Sequence, residues 1–315
     1  MTVAVKGSAR TRVNPLKALK EQVVALDAAM LVAVTATEVG AVHKLRTTTR
    51  RVEAQLRLME LVSGGDKPLP LPPHADEADA VRRRLGKVRR AAGAVRDLDV
   101  QTGIIALDAP QKNTVHKGSP GDIARREAKA LRKHLESERE HEAARLVLVL
   151  KAEEQKLAAS LRALEQALKP AGRGSVAQST LAERIDHWFS RETKALLRRP
   201  ASKQETAEES LRLAVEGLGE DGLHTLRKAA KQCRYMAESA PEGSPAQAMA
   251  ERFEAMQEAG GHWHDWLLLE QLSRRFHGKK AELTLRYAKH RDAALADYHL
   301  KLAELLPSVA ETKKV

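Results

Sequence analysis

Apolar residues recur at intervals of three and four along most of the chain, the spacing that lines one face of an α-helix. The pattern predicts helices over about 16–39, 41–62, 76–107, 122–169, 178–199, 205–217, 222–240, 245–276 and 279–305. Helix-breaking residues punctuate it. Gly40 is expected to separate the first two helices. Ser63-Gly64-Gly65-Asp66 and the prolines at 68, 70, 72 and 73 read as a loop. Ser119-Pro120-Gly121-Asp122 reads as a turn with Asp122 as the N-cap of the long fourth helix. Lys169-Pro170-Ala171-Gly172-Arg173-Gly174-Ser175 is the strongest boundary, and Pro200 and the segment Pro241 to Pro245 close later helices. The apolar stretch Val23 to Val34 is interrupted by Asp27 and is too short to span a bilayer, so it predicts a core helix.

The sequence on either side of residue 170 is similar. His43-Lys-Leu-Arg-Thr-Thr-Thr-Arg-Arg-Val aligns with His224-Thr-Leu-Arg-Lys-Ala-Ala-Lys-Gln-Cys, and Val95-Arg96-Asp97-Leu98-Asp99-Val100 aligns with Trp263-His264-Asp265-Trp266-Leu267-Leu268. This long-period duplication predicts an all-α protein of two four-helix bundles related by a pseudo-twofold, one over residues 1–170 and the other over 171–315.

Composition narrows the class. Aromatic residues are only 3%, which disfavours a β-sandwich or barrel, and 43% hydrophobic residues suffice for a sizeable core. The net charge of +12 implies an acidic partner: nucleic acid, anionic lipid or another polyphosphate. The single cysteine, Cys233, falls at an apolar helix position and reads as a core filler in a reducing cytoplasm. The basic N-terminus lacks the apolar stretch of a secretory signal.

The cations are not scattered. At about 100° per residue, Val42, Leu45, Thr49, Val52, Leu56 and Met59 form a core stripe, with His43, Arg46, Arg50 and Arg57 on the adjoining one. In the second copy Leu223, Leu226, Ala230, Cys233 and Ala237 form the core stripe. His224, Arg227, Lys231 and Arg234 lie beside it, flanked by Lys228. Stacked cations repel, so an external anion or acids from neighbouring helices must balance these rows, and Glu53 is the only acid within 43–57. Their place beside the buried seam predicts a basic central groove. Arg82, Arg89 and Arg96 recur every seven residues on the third helix. Arg125, Lys129, Arg132 and Lys133 form a strip on the fourth, where interleaved glutamates also suit a solvated face. Guanidinium groups bind phosphate oxygens in pairs, and His43 and His224 are further donors, stronger when a polyanion favours their charged form.

Catalytic signatures are missing: there is no phosphate-binding Gly-x-x-x-x-Gly-Lys-Ser/Thr, no Gly-x-Gly-x-x-Gly after a strand and no His-Glu-x-x-His. His264-Asp265 prompts a metal-dependent phosphohydrolase reading, but His262 and His264 point about 200° apart on a helix and cannot share an ion there. Asp97 and Asp265, at matching positions, read as partners that orient basic side chains. No catalytic residue, metal site or cofactor is expected.

His43-x-Leu-Arg46-x-x-x-Arg50-Arg51, Val95-Arg96-Asp97-Leu98-Asp99-Val100 and His224-x-Leu-Arg227-x-x-x-Lys231-x-x-Arg234-Tyr235 together resemble the CHAD domain, the conserved histidine α-helical domain, over about residues 16 to 305. The resemblance implies two four-helix bundles around a basic cavity or groove, binding of inorganic polyphosphate, and association with polyphosphate granules in the cytoplasm. It implies ligand contacts at His43, Arg46, Arg50, Arg51, His224, Arg227, Lys231 and Arg234. Arg57, Arg82, Arg89, Arg96, Lys129, Arg132 and Lys228 extend the set from the charge pattern. Gln232 stands opposite Arg51 and Glu53 opposite Arg234, so the two copies are unequal. The Glu-x-Glu-x-Lys signature of the triphosphate tunnel enzymes often fused to the family is absent. Nucleic-acid binding is the alternative, disfavoured by the scarcity of aromatics for stacking. Phosphate hydrolysis and attachment to anionic lipid are weaker alternatives.

Overall fold

The computed structural model describes residues 12–64, 68–110, 116–171, 174–198, 206–238, 240 and 243–306. The described chain is all-α apart from a two-residue antiparallel ladder. The helices are α1 (Pro15–Thr35), α2 (Val39–Ser63), α3 (Ala75–Asp108), α4 (Pro120–Leu168), α5 (Gln178–Thr193), α6 (Ala207–Glu216), α7 (Glu220–Ala237), α8 (Pro245–His277) and α9 (Glu282–Leu305). The ladder pairs β1 (Arg12–Val13) with β2 (Val176–Ala177), fastening the start of α1 beside the exit from α4. No helix among the described residues is long and apolar enough to cross a membrane.

Local chemistry explains where helices differ from their expected limits. Gly40 lies inside α2, and the break falls at 36–38 instead. There the Thr35 hydroxyl donates to the Val32 carbonyl at 2.9 Å, competing with the ladder, and Ala36 turns extended. Helix α5 stops at Thr193, short of 199, where the Thr193 hydroxyl donates back to Phe189 O at 2.8 Å. The N-cap of α4 is Ser119, whose hydroxyl accepts from Asp122 N at 3.3 Å. Asp122 sits within the first turn and accepts from Gly118 N at 3.1 Å, closing the N-terminus reciprocally. Gly278, at φ 95°, closes α8 in a conformation that only glycine adopts without strain and delays α9 to Glu282. Pro200 and Pro241, expected to close helices, lie outside the described residues, as do Gly65, Asp66, Gly172 and Arg173 of the expected loops.

Two apolar cores form. One gathers α1, α2, α3 and the later part of α4 around Leu26, Leu45, Leu56, Leu85 and Leu150. The other gathers α5, α7, α8 and α9 around Phe189, Leu226, Phe253, Trp263 and Tyr298. The second core also takes Leu58 and Val62 from the end of α2 and Leu131 and Leu135 from the start of α4. The two halves are therefore interlocked, and α4 serves both cores. Polar ties reinforce this junction: the Arg286 guanidinium pairs with Asp108 at 2.7 Å, and Leu283 N donates to the Glu127 carboxylate at 2.8 Å. Cys233 is a fully buried thiol in the second core, and burial pushes its pKa well up. The apolar stretch of α1 buries Leu26, Ala29 and Ala33 but leaves Val24 and Leu31 on the surface.

The two cores meet where α2 packs on α7. Gln55, buried in α2, donates to Tyr235 O at 3.3 Å. Arg51 of α2 and Arg234 of α7 share Glu238, at 2.8 and 3.0 Å. Beneath α7, the Tyr298 hydroxyl donates to Leu223 O at 3.3 Å, and its ring stacks on Trp263. That ring lies flat against Gly260, where an added Cβ would sit 2.7 Å from Tyr298 Cζ. Since Tyr298 is fully buried, it cannot swing away. Gly260→Ala is expected to lower unfolding free energy by about 1–3 kcal/mol. Gly261→Ala, with open space at Cβ, is expected to gain up to about 1 kcal/mol from helix propensity. Urea denaturation of the two variants checks the contrast.

Candidate polyanion-binding site

Arg46 and Arg50 of α2 and Arg227 and Lys231 of α7 converge where the two helices pack. Each is set by the seam beside it. Leu45, Thr49 and Val52 on α2, and Leu226, Ala230 and Cys233 on α7, are fully buried, so the adjoining positions are drawn under the rim of the interface. There the cations lose much of their water. Burial and repulsion by Arg46 lower Arg50 to about 10, against a small raising effect from Tyr235. Burial and repulsion by Arg50, Arg46, Arg227 and Arg234 push Lys231 down to about 7. Arg227 is lowered by burial, offset in part by Asp265.

The surrounding acids do not neutralise the cluster. Arg46 pairs with Asp97 of α3 at 3.3 Å. Asp265 of α8 attracts Arg227 but is itself raised by burial, which weakens its charged form. No carboxylate among the described residues lies within ion-pair distance of Arg50, Arg227 or Lys231. The Nε atoms of Arg46, Arg50 and Arg227 are buried and have no hydrogen-bond partner. Leaving a buried charged donor unpaired costs on the order of 1–3 kcal/mol or more. Several such donors together have the chemistry to receive anionic oxygens.

Histidines flank the cluster at both ends. Arg96 Nε donates to His43 Nδ1 at 3.2 Å, which leaves the His43 Nε2–H free as a donor. His224 packs at a tilt against His264, with ring centroids 4.9 Å apart and an interplanar angle of 45°. Burial and the neighbouring cations lower both His43 and His224, and burial with Arg227 pushes His264 down to about 4. Lowered below their ordinary value, these imidazoles are largely neutral at pH 7, where Lys231 is itself only partly charged, so the arginines carry most of the field. The positions matched in the sequence thus make matching contacts. Arg96 stands on His43 beside Asp97, and His264 stands on His224 beside Asp265.

The expected site residues divide into four groups. His43, Arg46, Arg50, Arg96, His224, Arg227 and Lys231 come together, with Arg89 of α3 close enough to repel Arg50. Arg51 and Arg234 adjoin the cluster but are engaged with Glu238, and Arg234 also pairs with Glu254 at 2.9 Å. Arg57, Arg82 and Lys228 line a separate cavity of about 270 Å³ farther along α2, where Glu60 engages both arginines. Lys129 and Arg132 are not brought in. They are exposed on α4, and Arg132 pairs with Glu136 one turn on at 2.8 Å, because the opposite stripe of Ala128, Leu131 and Leu135 is the one that is buried.

In the sequence His264 stands out only as a candidate metal ligand, whereas its ring lies 4.9 Å from that of His224 beside the cluster. The signal was the alignment of His264 with Arg96, one residue before the matched aspartates. Tyr235, whose ring receives Arg51 and Arg234 at 5.9 and 5.6 Å, was also missed. Among the described residues no cluster of His, Cys, Asp or Glu could hold a metal ion. A cavity of about 760 Å³ between α1 and α4, lined by Leu16, Leu19, Val23 and Leu161 with Lys17, Lys20 and Arg162, includes none of the central cluster.

An all-helical scaffold with a half-buried cation cluster between two interlocked cores defines the class. The chain belongs to the CHAD domain family, whose model matches residues 17–274. Family membership supports a polyphosphate-related role. A crystal structure of the CHAD domain from the plant Ricinus communis is similar, with a TM-score of 0.57 and 17% identity, covering 98% of this chain and 95% of that one. PptA from Streptomyces chartreusis is similar with a TM-score of 0.52 and 15% identity, covering 95% of this chain and 96% of that one. At these identities both likenesses show the shared fold alone. No curated protein matches the sequence significantly.

The depressed Lys231 has a consequence for stability. The unfolded chain holds a proton on this lysine up to about 10.5, whereas the folded chain releases it near 7. Between those values the unfolded state binds more protons, so stability rises with pH, and the cost is fully present below about 7. In a polyanion-free buffer Lys231→Met is expected to stabilise the protein at about pH 6, with the advantage over wild type shrinking toward about pH 10. Urea unfolding at both pH values measures it, and a pH-independent difference would contradict a buried, charged Lys231.

Proposed function

We propose that the chain binds inorganic polyphosphate without catalysing its hydrolysis, through the cluster of Arg46, Arg50, Arg227 and Lys231 flanked by His43, His224 and Arg96. The observation that carries this reading is the burial of Arg50 and Lys231 between α2 and α7 with no carboxylate partner among the described residues. Linked phosphates supply closely spaced anionic oxygens, and each guanidinium can grip two of them. Binding replaces mutual repulsion by charge-assisted hydrogen bonds and releases condensed counterions. The two halves act as one unit here, because the cluster takes residues from both.

The sequence carries no phosphate-binding Gly-x-x-x-x-Gly-Lys-Ser/Thr and no His-Glu-x-x-His, which favours binding over hydrolysis. Every Trp, Tyr and Phe except Phe276 is buried, so no surface is offered on which unpaired bases could stack. That argues against single-stranded nucleic acid as the ligand. Granules of polyphosphate in the cytoplasm are the location this reading implies.

The test is isothermal titration with long-chain polyphosphate at two salt concentrations. Wild type is expected to bind saturably and to weaken steeply with salt. Arg46→Ala with Arg227→Ala is expected to weaken binding by more than about tenfold, while circular dichroism stays helical. Unchanged affinity in the double variant would sink the site assignment. Displacement of the polyphosphate by DNA or RNA at equal phosphate concentration would sink the ligand assignment.

A further inference from the structure

The polyphosphate reading leaves one residue on the basic face of α2 unexplained. Positions 43, 46, 50, 53 and 57 follow the helical repeat and share one face. Four of them carry His or Arg, and the fifth is Glu53. In α7 the matching position carries Arg234. Glu53 pairs with Arg89 of α3, and both side chains are about 30% exposed, so the pair sits at the rim rather than deep in the core.

Its position divides the cations in two. On one side Arg89 feels the repulsion of Arg46 and in turn repels Arg50, so it borders the central cluster. On the other side Glu53 itself lines the 270 Å³ cavity that holds Arg57, Arg82 and Lys228. Without Glu53 the face of α2 at positions 43, 46, 50, 53 and 57 would carry no acid, and the acids left about the outer cavity would be Glu60, which engages Arg57 and Arg82, and Glu192. With it, the guanidinium at the junction is occupied by a carboxylate of the protein. A carboxylate presents two anionic oxygens to an arginine much as a phosphate does.

We propose that Glu53 is the length-selecting residue of this site: it stands in for a phosphate on Arg89 and keeps a bound chain within the central cluster. The proposal rests on the polyphosphate reading and adds to it. A short chain held by Arg46, Arg50, Arg227 and Lys231 does not meet Glu53. A long chain reaches the outer cavity only by displacing Glu53 from Arg89, and it then runs beside an unpaired carboxylate.

The experiment is titration of the full chain with tripolyphosphate and with long-chain polyphosphate, for wild type and Glu53→Gln. In Glu53→Gln the affinity for the long chain is expected to rise at least about fivefold. The slope of log affinity against log salt is expected to steepen by about 0.7, one further cation being neutralised by the ligand. Tripolyphosphate affinity is expected to stay within about twofold of wild type. Adding Arg89→Ala to Glu53→Gln should abolish the long-chain gain. Glu53→Ala provides a second variant with the same expected sign. An equal gain on both ligands, no gain on the long chain, or a gain that survives Arg89→Ala overturns the proposal. Failure of wild type to bind either ligand would instead overturn the polyphosphate reading itself.

Discussion

The packing of α2 on α7 forces like charges together. Each helix buries its apolar stripe in its own core, Leu45 and Val52 in the first and Leu226 and Cys233 in the second, and the adjoining rows of cations are left against each other at the junction. Hydrophobic burial in the two cores supplies the driving force. The repulsion among Arg46, Arg50, Arg227 and Lys231 opposes it. A protein shaped for stability alone would place acids between them, as α3 and α4 do where Arg84 and Lys87 close on Glu153 at 3.1 and 2.9 Å.

The other features of the site manage this repulsion. Asp97, itself half-exposed, pairs with Arg46 at 3.3 Å, and Asp265 attracts Arg227 from α8. Glu238 draws Arg51 and Arg234 away to the side, and in doing so ties the two halves of the chain. Burial first, and the neighbouring cations second, hold the histidines below their ordinary pKa. Lys231, depressed to about 7, is the group most sensitive to what fills the site. An anion that restores its charge would also relieve the folded protein of a cost that the empty protein bears.

The architecture makes the site depend on the whole chain. Half of its cations come from each half of the sequence, and α4 contributes to both cores. Loosening the junction would separate Arg46 and Arg50 from Arg227 and Lys231. With Glu53 aligned to Arg234 and Gln232 to Arg51, α2 and α7 do not present the same side chains at matching positions.

Much of this was legible in the sequence for a physical reason: helical periodicity is local. The spacing of apolar residues located all nine helices among the described residues, and the rows at 43–50 and 224–231 stood out because side chains three and four apart share a face. Ends were less legible, since Thr35 and Thr193 stop their helices through hydroxyl bonds that periodicity does not encode. Which cations act together was not legible at all. Arg57 and Arg50 share a stripe, yet Glu60 holds one and nothing among the described residues pairs with the other. Arg132 looks as basic as Arg227, yet one faces solvent and the other faces a second helix. These distinctions depend on the distance to residues far along the chain, and on the water that burial removes. The sequence by itself determined the helices and the basic faces. Only the tertiary structure decided which cations lack a counter-charge, because that follows from which faces meet.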